Sequence, residues 1–276
     1  MNHDLYKIIN DKLAEEDELD FGVDELSYYL DVGIKSVKDA SSIFLKNFGD
    51  VSRMYKNTHQ NAVDYATKSD IEIEEFLKNS LSETGIEFLG EESKKPENLD
   101  GYCWVVDPID GTLNYGNNLP FSAISVGLTF NQRPLLGIIA TPALNENFYF
   151  GISKIGSWKN NKKIQVRKSN IKESVIAYDG VRGDMIDPYI DIIKKTVGRA
   201  RLLGTTATEL ALCAEGAFSA VVAPMAEFWD VAAGVAIVEG AGGVVKDING
   251  RELQPGKSSI VAGEAQLVEN ILKALN

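Results

Sequence analysis

The spacing of the apolar residues changes twice along the chain, and nothing else in the sequence restricts the fold so strongly. Up to Gly85 they recur three or four residues apart, as on helices; from Ile86 they form short runs broken by turn residues. Beyond about Lys168, short runs alternate with helical spacing. Leu5, Ile8, Ile9 and Leu13 suggest a short amphipathic helix before an acidic run ending near Asp20, with a frayed tail as the alternative. Residues 24–48 read as a longer helix. Leu26, Tyr29, Leu30, Gly33, Val37, Ala40 and Phe44 form its apolar face, and Gly49 supplies the stop. A second helix begins at Ser69-Asp70, where Ser69 and Glu72 have capping-box spacing. It carries Ile73, Phe76, Leu77 and Leu81 inward and ends at Gly85.

In the middle of the chain, Ile86 to Leu89 leads into Gly90-Glu91-Glu92-Ser93, and a buried strand over 102–106 runs into Asp107-Pro108-Ile109-Asp110-Gly111-Thr112. Strands over 122–130, 133–141, 147–151 and 164–166 follow so closely that an antiparallel meander is expected. The last third reads as strands near 175–178, 201–203, 217–223 and Val261. Between and after them lie helices over 186–196 and 205–215, one starting near Trp229, and a final one. That alternation is α/β patterning. The expected division is an accessory segment 1–23, an α+β subdomain 24–167 carrying most of the candidate ligands, and an α/β subdomain 168–276.

Composition narrows the chemistry. A net charge of −12 opposes the phosphate backbone of nucleic acids and the surface of anionic membranes. The two cysteines, Cys103 and Cys213, sit in apolar strings and read as small core residues. The two histidines, His3 and His59, lie near the N-terminus outside any motif, so serine–histidine catalysis and histidine zinc sites have little to build on. The start of the sequence lacks the pattern of a signal peptide, and no apolar run is long enough for a membrane span, so a cytoplasmic protein is expected. Carboxylates and bound cations are left as the agents of any catalysis.

Five acids stand out. Asp107 and Asp110 flank a proline-stiffened turn, Gly111 permits close backbone approach, and a helix opening at Thr112 would offer amides to a phosphate. Glu91 follows the preceding strand and reaches Asp107 if the two strands are neighbours, although adjacent acids such as Glu91-Glu92 are also common in solvated loops. Asp70 and Asp230 each fall in the first turn of a helix, where caps and dipole partners are common. Each acid has an ordinary explanation alone; together they describe a pocket for hard cations such as Mg²⁺.

The segments Thr67-Lys-Ser-Asp70, Gly90-Glu91-Glu92-Ser93, Asp107-Pro-Ile-Asp110-Gly-Thr112-Leu-Asn114 and Trp229-Asp230-Val-Ala-Ala-Gly234, in this order, resemble the inositol monophosphatase family. Its members are Mg²⁺-dependent, lithium-sensitive phosphomonoesterases related to fructose-1,6-bisphosphatase. The likeness runs from about Asp24 to the C-terminus. It implies a layered α-β-α-β-α sandwich, commonly a homodimer. It also implies that Glu91, Asp107 and the Ile109 carbonyl hold one Mg²⁺, that Asp107, Asp110 and Asp230 hold a second, and that a weaker third uses Glu91 and water. Mn²⁺ is the expected substitute. Thr112, oriented by Asp70, would position a metal-activated water for in-line attack while the Gly111 and Thr112 amides hold the phosphate. Gly204-Thr205-Thr206 matches the segment that contacts the rest of the substrate, with a helix cap as the alternative reading.

The implied substrate is a small phosphorylated polyol or sugar resembling inositol-1-phosphate. Fructose-1,6-bisphosphate, a 3′-phosphoadenosine-type nucleotide and a non-catalytic sugar-phosphate binder are the alternatives. Asn114-Tyr115 favours the polyol and sugar branch. Two departures weigh against inositol itself. Ala223 stands where inositol-specific members carry an acid, with Glu227 as a nearby substitute. The lysine expected before the Asp70 segment has only Lys56 and Lys68 as candidates.

Overall fold

A computed structural model describes residues 23–49, 53–55, 65–93, 99–180 and 188–276, together with Lys7 and Asp11. Apart from those two residues, the expected N-terminal helix lies outside the described residues, as do both histidines, Lys56 and the start of the helix expected from 186. Helix α1 (Val23–Asn47) buries Leu26, Leu30, Val37, Ala40 and Phe44, the face its spacing indicated. Strands β1 (Arg53–Tyr55) and β2 (Tyr65–Thr67) form an antiparallel pair leading into helix α2 (Lys68–Leu81). The cap of α2 differs from the expected one. Thr67, not Ser69, is the N-cap, and Asp70, not Glu72, closes the capping box. The helix thus starts one residue earlier than its apolar spacing indicates, and Asp70 is drawn into the cap.

Seven strands follow in one sheet, in the spatial order of the chain: β3 (Glu87–Gly90), β4 (Tyr102–Asp110), β5 (Ala123–Phe130), β6 (Arg133–Thr141), β7 (Asn147–Ile152), β8 (Gly156–Lys159) and β9 (Lys162–Ile164). From β4 onward it is the expected antiparallel meander, while β3 runs parallel to β4. Strand β8 has no counterpart in the sequence reading, and β9 ends at Ile164 where the expected strand began. Asn160 and Asn161, both with positive φ, make the two-residue turn between them. A short helix, α3 (Thr112–Gly116), separates β4 from β5.

The second sheet is mixed: β11 (Arg199–Arg201), β10 (Val175–Tyr178), β12 (Ala220–Ala223), β14 (Ile260–Gly263) and β13 (Val244–Asp247), in that order. Strand β10 pairs parallel with β11 and β12, whereas β14 pairs antiparallel with β12 and β13. Four helices flank it: α4 (Ile190–Thr196), α5 (Thr206–Ala214), α6 (Phe228–Gly240) and α7 (Ala265–Leu275). Strand β13 was not anticipated, and β11 lies two residues earlier than expected. Its polar Arg-Ala-Arg sequence marks an edge strand rather than a buried one.

Alternation along each strand sorts the side chains into three apolar clusters. Trp104, Val106, Ile138 and Phe150 face α1 and α2. Cys103, Val105, Ile139 and Tyr149 face α5 and α6, which meet Ala177, Val221 and Ala262 of the second sheet on their far side. Ile176, Tyr178, Val222 and Val261 pack against α4 and α7. The layers are therefore helix, sheet, helix, sheet, helix. Both cysteines are free and buried in the middle cluster, where burial pushes each thiol up to about 12.

Helix α6 lies unusually close to the first sheet. Gly127, Gly137 and Gly151 stand opposite one another on β5, β6 and β7. A methyl at Gly137 would overlap the Ala233 carbonyl, and one at Gly127 would come within 3.0 Å of the Ala233 nitrogen. On the helix side the contact is made by Ala232, Ala233 and the Cα of Ile237. Small residues on both surfaces let the backbones touch, which fixes where the N-terminus of α6 projects.

Candidate active site

Asp107 ends the regular part of β4, on the side facing α6. In an unbroken strand a residue three positions later would point to the opposite face. The pairing with β5 slips between Asp107 and Asp110, and this bulge returns Asp110 to the face of Asp107. Pro108 lies within the slipped stretch, where β4 gives up regular pairing. Asp230, in the first turn of α6, arrives from the opposite layer. The result is a buried trio: carboxylate oxygens of Asp107, Asp110 and Asp230 all lie within 4.8 Å of one another. Glu91 joins from the parallel neighbour, its backbone N–H donating to the Val106 carbonyl (3.2 Å) as Gly90 pairs with Val106.

The electrostatics follow from that crowding. Burial pushes the Asp107 carboxyl well above the usual carboxylate range, and Glu91, Asp110, Asp230 and Asp70 each push it further. Asp110 is raised as well, by burial first and then by Asp179 and Glu91, while hydrogen bonds from Thr205 and Ala207 pull it back. Its Oδ2 accepts from the Thr205 hydroxyl (2.7 Å) and the Ala207 N–H (2.6 Å). Asp230 Oδ2 accepts from the Glu227 N–H (2.8 Å). Buried like charges of this kind call for a compensating cation. The donor set is all carboxylate oxygen, which suits a hard divalent ion, so these residues fit the metal that the sequence motifs imply.

Asp70 and Thr112 form a second unit beside the trio. Asp70 Oδ2 accepts from the Thr67 N–H (2.7 Å) and hydroxyl (2.5 Å), which leaves Oδ1 to accept from the Thr112 hydroxyl at 3.2 Å. Thr112 shares that proton with the Ile109 carbonyl (3.0 Å). Burial raises the Asp70 carboxyl to about 6, against the pull of its Thr67 hydrogen bonds. Gly111 precedes with φ 84°, and a methyl there would sit 2.9 Å from the Phe121 carbonyl, so backbone conformation and space both require glycine.

Several neighbours support these groups, and two of them, Asp179 and Glu209, carry no signal in the sequence reading. Asn114 Nδ2 donates to the carbonyls of Phe121 (2.7 Å) and Leu203 (2.7 Å), tying α3 to the turn at Gly204. Glu209, fully buried, accepts from the Leu203 N–H (2.9 Å) and braces the same turn. Thr205 is the N-cap residue of α5, but its hydroxyl serves Asp110. Asp179, just past β10, donates its N–H to the Val222 carbonyl (2.9 Å), which brings it beside Ala223, and its carboxylate accepts from Thr206. Ala223 is buried in the middle apolar cluster, and Glu227 is exposed. Thr67 has the Thr-x-x-Asp spacing of a capping box with Asp70.

Residues 25–276 match the inositol monophosphatase family. The chain belongs to that family. It is a phosphoric monoester hydrolase, of a metal-dependent kind. Relatives include an inositol monophosphatase 3 from Solanum lycopersicum, 31% identical over 90% of this chain and 96% of its own length. A fructose-1,6-bisphosphatase/inositol-1-monophosphatase from Thermotoga maritima is 28% identical over 90% of this chain and 95% of its own. Among solved structures, the Thermotoga maritima IMPase superposes with a TM-score of 0.81 at 26% identity, covering 90% of this chain and 96% of the other. The extragenic suppressor protein suhB from Bartonella henselae gives 0.80 at 26% identity, with 90% and 98% covered. No helix among the described residues is long and apolar enough to cross a membrane.

Proposed function

We propose that the chain hydrolyses a small polyol or sugar monophosphate, of the inositol-1-phosphate kind, with Mg²⁺ as its metal and water as the nucleophile. The observation that carries this reading is the convergence of Asp107 and Asp110 from β4 with Asp230 from α6, beside the Asp70–Thr112 pair. Glu91, Asp107 and the Ile109 carbonyl would hold one ion, and Asp107, Asp110 and Asp230 a second, with a third weaker position at Glu91. When bound, such ions offset the substrate's negative charge, lower the pKa of water towards neutrality and stabilise the leaving oxygen.

The chain's own residues supply position. Asp70, anchored by Thr67, accepts the Thr112 proton, which leaves a lone pair of the Thr112 hydroxyl to accept from the attacking water. The turn at Gly111 presents the Gly111 and Thr112 amides to phosphate oxygens. Gly204 and Thr205, braced through Asn114 and Glu209, border the part of the pocket left for the alcohol. Since Ala223 offers no hydrogen-bonding group there, selectivity for inositol over other polyols is not expected.

A second reading, fructose-1,6-bisphosphatase activity, is favoured by the double naming of the relatives from Thermotoga maritima and Aquifex aeolicus. The test is phosphate release with Mg²⁺ from inositol-1-phosphate, sugar monophosphates, fructose-1,6-bisphosphate and nucleotide 3′-phosphates. Monophosphates of polyols or sugars should rank first. Turnover confined to nucleotide 3′-phosphates, or activity indifferent to chelator, would overturn the proposal. Gel filtration with light scattering tests the accompanying expectation of a homodimer, and inhibition by Li⁺ the expected lithium sensitivity.

A further inference from the structure

Helix α2 carries two buried acids one turn apart, and only the first belongs to the machinery described above. Glu74, four residues after Asp70, is only 3% exposed. At that spacing both side chains leave the helix on one face. The Glu74 carboxylate accepts from the Glu92 N–H (2.8 Å) and from the Ser93 hydroxyl. Gly90 also lies against it, where a methyl would fall on the carboxylate itself. The segment 90–93 is therefore wrapped around Glu74 at three points, and Glu91 is the residue in the middle of the wrap. Glu91 in turn acts electrostatically on Asp107, Asp70 and Glu74.

We propose that Glu74 is a positioning residue for the cation site: by holding Gly90, Glu92 and Ser93 it fixes the backbone from which Glu91 reaches Asp107. The inference rests on the proposed reading of Glu91 as a ligand. It makes α2 one rigid part with two tasks, Asp70 setting the direction of Thr112 and Glu74 setting the direction of Glu91. A carboxylate accepts from both partners at once. The amide of a glutamine would turn an N–H₂ group towards one of them. Loosening a residue that orients a ligand typically costs about 10- to 100-fold in metal affinity.

Two variants reach Glu74 independently. Glu74→Gln alters its acceptors directly. Gly90→Ala displaces the carboxylate by contact, and because Gly90 is not among the positive-φ residues its backbone suits alanine. Chelator-stripped wild-type and variant proteins are titrated with Mn²⁺, free ion being read by electron paramagnetic resonance. Each variant should weaken Mn²⁺ binding by about 10- to 100-fold, and the double variant no further than the weaker single one. The Mg²⁺ concentration for half-maximal phosphate release should rise while kcat at saturating Mg²⁺ recovers, a split that loss of folded protein does not produce. Should Glu74→Gln melt below the assay temperature, Gly90→Ala carries the test.

Mn²⁺ affinities within about twofold of wild type in the folded variants would overturn the proposal. Wild-type protein that binds Mn²⁺ but releases no phosphate would sink the hydrolytic reading and leave this one standing. Wild-type protein that takes up no Mn²⁺ would sink both.

Discussion

The two faces of the seven-stranded sheet are built on opposite principles. Towards α1 and α2 the strands present Trp104, Leu128, Ile138, Phe150 and Trp158, and contact is made between large side chains. Towards α6 the same strands present Gly127, Gly137 and Gly151, and contact is made between backbones. Side chains can repack around a lost methylene, but two touching backbones have no adjustable part between them. The acids of the site, Asp107 and Asp110 from the sheet and Asp230 from the helix, lie at the end of the second face. Placement to within a bond length matters there, and the fold uses the less forgiving contact where it is needed.

The comparison can be broken or sharpened by substitution. The largest effect is expected from Asp107→Asn, which changes the chemistry and leaves the packing alone. Turnover should fall by about three orders of magnitude or more while the chain stays folded, as judged by steady-state kinetics and circular dichroism. Retained turnover would separate the acid trio from the activity. Next, Gly137→Ala drives a methyl into Ala233 of α6 and should cost about 1–3 kcal/mol or more by denaturant melts. Mn²⁺ affinity should drop with it because Asp230 moves. A variant that lost stability but bound Mn²⁺ normally would show that the close contact serves the fold alone.

The chelated protein gives an intermediate test. Burial raises Asp70 to about 6 and raises Asp107 and Asp110 as well, so the folded chain binds protons at higher pH than the unfolded chain. Metal-free stability should therefore fall as pH rises from about 5 to about 8, and excess Mg²⁺ should flatten that slope. A melting temperature that rises over the same range would contradict the buried acid cluster. Thr205→Val removes one hydrogen bond to the Asp110 carboxylate and should cost about 1.5–3 kcal/mol of local stabilisation, read as weaker Mn²⁺ binding. The smallest effect belongs to the other face. Ile138→Val should cost about 0.5–1.5 kcal/mol of stability and leave metal affinity unchanged.

The first half of the molecule was the more readable in sequence, and particular residues show why. The inner face of α1 and the strands β4 to β7 follow from the period of their own apolar residues, because each buries a face that the local pattern marks. The edge strand β11 and the short strands β8 and β13 lack that pattern, so they were shifted or missed. The cap of α2 lies two residues before the one the spacing suggests, since Thr67 and Ser69 both have an acid three positions on and only the hydrogen bonds between Thr67 and the first turn separate them. The candidate ligands stood out as motifs. Glu74, Asp179 and Glu209 did not, because a buried carboxylate that braces a distant loop looks like any surface residue in the string.

Local chemistry wrote the helices, the meander and the stiff acidic turn after β4 into the chain, because those depend on neighbours a few residues away. The order of the second sheet, the seating of α6 on the glycine row and the slip that returns Asp110 to the face of Asp107 came only with the packed molecule. Each of these depends on surfaces contributed by segments many tens of residues apart, and no periodicity within a segment records which distant surface it will meet.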